Sequence, residues 1–150
     1  MEYIMNLEDI LNEWEQDCKI GNDLAEASKQ TPSHHAKYLQ MLSVAKLRLK
    51  KLESEQKILL KEKWLWYNGK MCEDELKEKG WDPDPFNGLK IMKGDMDYYY
   101  DSDPEIQKSE EKIQYFKTII DTLKEIVDTL RWRHQTVSNI IKWKQFERGD

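Results

Sequence analysis

Apolar side chains recur through much of this chain at intervals of three and four residues, the spacing of a helix face and not of a strand. Near the amino end Leu7, Ile10, Leu11 and Trp14 share one face. Asn6 stands before them as an N-cap, and Glu8 and Asp9 occupy the first turn, where acids complement the helix dipole. A short first helix is predicted, ending near Gly21.

Thr31-Pro32 has the form of an N-cap followed by a proline at the first helical position, and nothing breaks a helix until Asn68-Gly69. One helix over residues 32–67 is predicted, roughly 54 Å long at about 1.5 Å per residue. Tyr38, Ala45, Leu52, Leu59 and Trp66 fall at one heptad position and Leu42 and Leu49 at the other, where Gln56 and Lys63 interrupt the column. A helix with so narrow a stripe must find its core in partners.

Gly and Pro gather in residues 68–103, at Asp82-Pro83-Asp84-Pro85, Gly88 and Gly94, with Trp81, Phe86, Tyr98, Tyr99 and Tyr100 between them. An acidic, aromatic linker is predicted, with room for short strands. Asp103-Pro104-Glu105 repeats the pattern of cap, proline and acid, and opens a helix predicted to run unbroken over 104–148. Ile106, Ile113, Ile120, Val127, His134 and Ile141 form one column, Phe116, Leu123, Leu130 and Val137 a second, and Ile119, Ile126 and Ile140 a third. A two-stranded coiled coil buries only two columns, so these three assign the last helix to oligomerisation, in a ring or multi-helix bundle. The expected fold is all-α, a single elongated domain over 1–150 with a short acidic helix in 1–30.

Composition agrees: 35% of residues are charged and only 6 are Gly and 4 Pro, which suits solvated helices, while 11% aromatic content is too high for a disordered chain. No apolar run approaches the roughly 18 residues of a bilayer span, and the amino end, with Glu2, Glu8 and Asp9, does not read as a signal peptide. A soluble intracellular protein without membrane contact is expected. Cys18 and Cys72 lack the spacing of a disulfide framework or zinc site.

The net charge of −5 conceals segregation. Residues 1–33 and 71–103 each carry a net −6, residues 34–70 carry +6 and the remainder +1. A local basic face can hold a polyanion whatever the total charge. Within the basic block, Lys57, Lys61 and Lys63 interleave with Trp64, Trp66 and Tyr67, and Lys46, Arg48, Lys50 and Lys51 extend the stretch upstream. Lysines can track phosphates while aromatic rings stack on unpaired bases, a combination suited to single-stranded nucleic acid. The bland alternative makes the tryptophans core and the lysines a solvated face. Residues 64 and 66 point apart on a helix, so at least one aromatic belongs to the core.

Other clusters carry less. His34-His35 has no third ligand in helical reach, and Asp95, Asp97, Asp101 and Asp103 lack the glycine and terminal Glu of a calcium loop. No phosphate loop, nucleophile elbow or triad is present, so neither catalysis nor a cofactor is expected. Arg131, Arg133, Lys142, Lys144 and Arg148 are either a second nucleic-acid rim or cations complementing a helix C-terminus.

Taken in order, these elements resemble the bacteriophage recombination mediator UvsY family. The likeness rests on Leu7-Glu8-Asp9, on Leu60-Lys61-Glu62-Lys63 with Trp66-Tyr67-Asn68-Gly69, on Gln114-Tyr115-Phe116 and on Phe146-Glu147-Arg148-Gly149. The resemblance implies a non-enzymatic ring of six or seven subunits that binds single-stranded DNA in the cytoplasm of an infected bacterial host. It implies partners too: a RecA-like recombinase, and a single-strand-binding protein displaced during recombination, replication and repair. Lys61 and Lys63 stand where the family places its DNA-binding basic pair, although Lys63 replaces an expected Arg and Glu62 lies between the two. The rival reading is a coiled-coil scaffold that binds proteins only.

Overall fold

The computed structural model describes residues 6–149; Met1, Met5 and the acidic Glu2 lie outside the described residues, as does Asp150. Among the described residues six α-helices follow one another: α1 (Leu7–Asp17), α2 (Leu24–Tyr67), α3 (Glu73–Lys79), α4 (Met96–Asp101), α5 (Pro104–Arg131) and α6 (Arg133–Glu147), with a 3-10 turn at Lys93–Asp95. The fold is all-α, and the described residues include no strand, so the linker region folds as short helices and turns.

The Asn6 side chain accepts the Glu8 N–H at 2.8 Å and caps α1, which ends at Asp17, short of Gly21. α2 begins eight residues before the expected proline start, capped by Asp23, whose Oδ1 accepts the Glu26 N–H at 3.0 Å. Pro32 therefore lies inside the helix. Its ring removes a backbone donor; in the same turn the Thr31 hydroxyl donates to the carbonyl of the buried Ala27 at 2.9 Å.

The chain divides into two compact units. The first comprises the chain up to Arg48 and from Phe116 onward. Tyr38, Leu42 and Ala45 of α2 are buried there with Ile119, Ile120, Leu123, Ile126, Val127 and Leu130 of α5. Ile10 of α1 and Val137 of α6 are buried as well. The Tyr38 ring meets Trp14 edge-on at 5.6 Å, and its hydroxyl donates to Asp17 at 2.8 Å. The three columns expected to face other subunits are thus largely consumed by this chain's own core. Long amphipathic segments that double back satisfy each other's apolar stripes before any partner does.

The final helix is interrupted at Trp132 (φ −94°, ψ 0°), although no Gly or Pro stands there. Beyond the break Arg133 is buried, and its guanidinium donates to the carbonyls of Asp17 and Lys19, each at 2.8 Å. Arg133 does complement a helix C-terminus, that of α1 and not its own. Ile141, Trp143 and Phe146 remain exposed on α6, with the Trp143 and Phe146 rings stacked 5.6 Å apart.

The second unit spans Leu49–Tyr115. Gln56 donates to Glu110 at 2.7 Å and Lys63 pairs with Glu105 at 3.4 Å, so the two helix segments here run antiparallel. α3 carries Glu73, Asp74 and Glu75 in its first turn and stops at Gly80, whose φ of +71° lies in the left-handed region that favours glycine. Leu76 and Ile113 are buried in this unit.

Candidate nucleic-acid interface

The end of α2 sorts its cations and aromatics by helical phase. Lys50, Lys57, Lys61 and Trp64 fall at intervals of seven, four and three residues, which places them on one stripe. All four are exposed, Trp64 to 48%. None of the three lysines forms an ion pair among the described residues. Glu62, the acid between the expected basic pair, is turned away and pairs with Lys79 at 2.8 Å, so its charge is offset locally.

The helix terminates by a turn in which the Lys70 N–H donates to the Leu65 carbonyl at 2.9 Å and the Gly69 N–H to that of Trp66 at 3.1 Å. Gly69 adopts a φ of +69°, a left-handed conformation costly for other residues. The Asn68 side-chain amide donates to the Trp64 carbonyl at 2.7 Å. This turn folds Lys70 back until its ammonium stands 4.8 Å from the centre of the Trp64 ring. Lys70 was missed in the sequence; the Asn-Gly turn ahead of it is the signal that it returns to the helix end.

Lys63 is elsewhere. Its side chain is only 3% exposed, and it pairs with Asp103 at 3.1 Å. The Trp81 ring centre lies 4.0 Å from its ammonium and that of Trp66 4.6 Å. The expected pair of phosphate contacts is therefore split: Lys61 faces solvent and Lys63 does not, because helical phase carries residue 63 about 200° around from residue 61. Tyr67 is buried as well, its hydroxyl donating to Asp103 at 2.7 Å, and it is not placed to stack on a base.

Asp103 draws these groups together. One carboxylate oxygen receives Lys63 and Tyr67, and the other accepts the N–H groups of Glu105 and Ile106 at 2.9 and 3.1 Å, capping α5. Burial alone would push this carboxyl up. The hydrogen bonds from Tyr67, Ile106 and Lys63 outweigh burial and hold it below its ordinary range, while burial and the bond to Asp103 push the Tyr67 phenol up. Around them Trp66 packs on Trp81 at 5.2 Å and donates to the Asp82 carbonyl at 2.7 Å, Trp81 donates to Glu105 at 3.0 Å, and Phe86 packs on Tyr67 and Tyr99. The aromatic linker is the lid of this cluster.

Of the upstream cations, Lys50 and Lys51 are exposed in this unit. Arg48 and Lys46 belong to the other, where Arg48 is half-buried and Lys46 is exposed. Lys46 lines a cleft with Lys124 and Arg131 that also contains Glu125 and Asp128, which offset two of the three positive charges. Among the residues expected to oligomerise, Ile113 is buried in one unit, and Ile119, Ile120, Leu123, Ile126, Val127, Leu130 and Val137 in the other. Phe116 and Ile140 are half-buried and Ile141 is exposed. His34 stands 3.8 Å from Asp17, and no group of three His, Cys, Asp or Glu residues among those described could hold a metal. No helix among the described residues is long and apolar enough to cross a membrane.

Fold and surface define a class: an all-α chain of long helices that presents a stripe of unpaired lysines ending in a half-exposed indole. A family model described as recombination, repair and ssDNA binding protein UvsY matches residues 13–150, and the chain belongs to that family. One crystal structure of the bacteriophage T4 recombination mediator protein UvsY is 22% identical and superposes with a TM-score of 0.77, over 96% of this chain and 98% of that one. A second lattice form of the T4 protein gives 21% identity and a TM-score of 0.75, over 93% and 98%. At these identities the likeness carries the fold alone. No curated protein sequence matches the chain.

Proposed function

We propose that this protein binds single-stranded DNA through Lys50, Lys57, Lys61, Trp64 and Lys70, and that it acts as a recombination mediator. The stripe formed by Lys57, Lys61 and Trp64 is the observation that carries the reading: three exposed groups in phase, no acid paired with either lysine, and Lys70 beside the indole. Lysines in such a stripe attract phosphates, and an indole at its end offers a surface on which any base can stack. Family membership supports the same reading.

Loading a RecA-like recombinase by loosening a single-strand-binding protein follows from this as the role in the infected host's cytoplasm. Each patch is small, so a homo-oligomer, of six or seven copies in the family's manner, multiplies its affinity. With much of the three-column face buried in the chain's own core, Ile141, Trp143 and Phe146, exposed together on α6, offer one apolar surface for subunit contacts.

The test is anisotropy of a labelled single strand titrated with the protein over a salt series and competed with duplex. Binding that prefers the single strand and weakens steeply with salt is expected. Salt-independent binding, or none at low salt, overturns the reading.

A further inference from the structure

The buried cation beside the stripe has a different task from its exposed neighbours. We propose that Lys63 is a positioning residue that never touches DNA: bound to Asp103 between Trp66 and Trp81, it clamps the returning chain so that Lys70 is held against Trp64 before the strand arrives. The proposal rests on the reading of the stripe given above.

Its grounds are geometric. The segment after α2 is fastened to that helix at two places. At one end the Lys70 N–H bonds to Leu65 and the ammonium covers Trp64. At the other, Trp81 packs on Trp66 and the Asp82 carbonyl accepts the Trp66 indole N–H. Lys63 joins this second fastening to the start of α5, because its ammonium lies against Trp81 and pairs with Asp103 and Glu105. For a phosphate to reach it, the Asp103 pair would have to break and an indole withdraw. A buried cation that loses its carboxylate is strongly disfavoured. Ordering the partners beforehand lowers the entropy lost on binding, which is how a group that never meets the strand raises affinity.

The deciding variant is Asp103→Asn. Asparagine caps a helix about as well as aspartate, so α5 keeps its start. The change removes the buried carboxylate charge and leaves Lys63 with only the exposed Glu105, 3.4 Å away, to hold it. If Lys63 were a phosphate ligand, Asp103→Asn would bind single-stranded oligothymidylate equally or more tightly, and the salt slope would steepen by about 0.7 for one additional neutralised phosphate. The positioning role predicts the reverse: affinity falls about three- to tenfold, the range expected when one or two side chains must be ordered on binding, with the slope unchanged.

Lys63→Arg, which can keep the pair with Asp103, should restore affinity to near that of the unaltered protein, whereas Lys63→Met should not. Lys61→Ala serves as the phosphate-binding control and should flatten the slope by about 0.7. Tighter binding by Asp103→Asn, or a slope flattened by Lys63→Met as much as by Lys61→Ala at unchanged helix content, overturns the positioning role alone. Absence of binding by the unaltered protein overturns the stripe itself, and this role with it.

Discussion

Lys63 and Asp103 lie forty residues apart in the chain and 3.1 Å apart in space, both side chains nearly withdrawn from water. A pair this deep specifies geometry more than it adds stability, yet losing one member leaves the other buried and uncompensated. Asp103→Ala removes the buried partner of Lys63, leaving it only the exposed Glu105, together with the acceptor for Tyr67 and the cap of α5. It should lower the free energy of unfolding by about 3–5 kcal/mol, measured by urea denaturation. A change below about 1 kcal/mol would mean that the cluster is open in solution.

The same pair sets a pH dependence. Asp103 is held below its ordinary range in the folded chain, as is Asp17, where hydrogen bonds from Lys37 and Tyr38 outweigh burial. A carboxyl with a depressed folded pKa contributes stability that is fully present above its unfolded value of about 3.9 and is lost as pH falls through the folded value. Stability should therefore hold from about pH 7 to pH 5 and decline below about pH 4. Asp103→Asn should shrink that decline without abolishing it, since Asp17 remains. Urea midpoints at about pH 7 and pH 3 for both proteins provide the check.

In the proposed interface Trp64 is the stacking platform. Trp64→Ala should weaken single-strand binding by about 1–3 kcal/mol, and Trp64→Phe by less. Because the ring is already exposed, thermal unfolding of either variant should stay close to that of the parent. An equal loss in stability and affinity would assign the ring to the core instead.

Core and proposed assembly face separate by mutation. Leu123 is fully buried, and Leu123→Ala should lower stability by about 2–5 kcal/mol. Ile141→Asp, on the exposed side of α6, should keep helix content and reduce the sedimenting mass. Ile141→Asp of unchanged mass at micromolar concentration would place subunit contacts elsewhere.

Much of this was legible in the residues. The helical class, the cap at Asn6 and the opening of the last long helix at Asp103-Pro104 followed from periodicity and capping chemistry, because those signals are local. What was not legible depended on contacts between distant segments. Pro32 reads as a start, but Asp23 and the buried Ala27 hold an earlier one. The columns from Ile113 to Val137 read as an intersubunit seam, since a heptad does not say whose stripe it meets. The break at Trp132 has no breaker residue, and the inward turn of Arg133 depends on carbonyls more than a hundred residues away. The basic stretch was readable as a set of charges, but only helical phase and the partner Asp103 separate exposed Lys61 from enclosed Lys63.

The central claim is that the exposed stripe on α2 holds single-stranded DNA. The most direct measurement compares the unaltered protein with the double variant Lys57→Glu/Lys61→Glu by anisotropy of a labelled oligothymidylate across a salt series. Steep salt dependence in the parent, with binding lost and helix content retained in the variant, is predicted. Undiminished binding by a folded variant would contradict the claim.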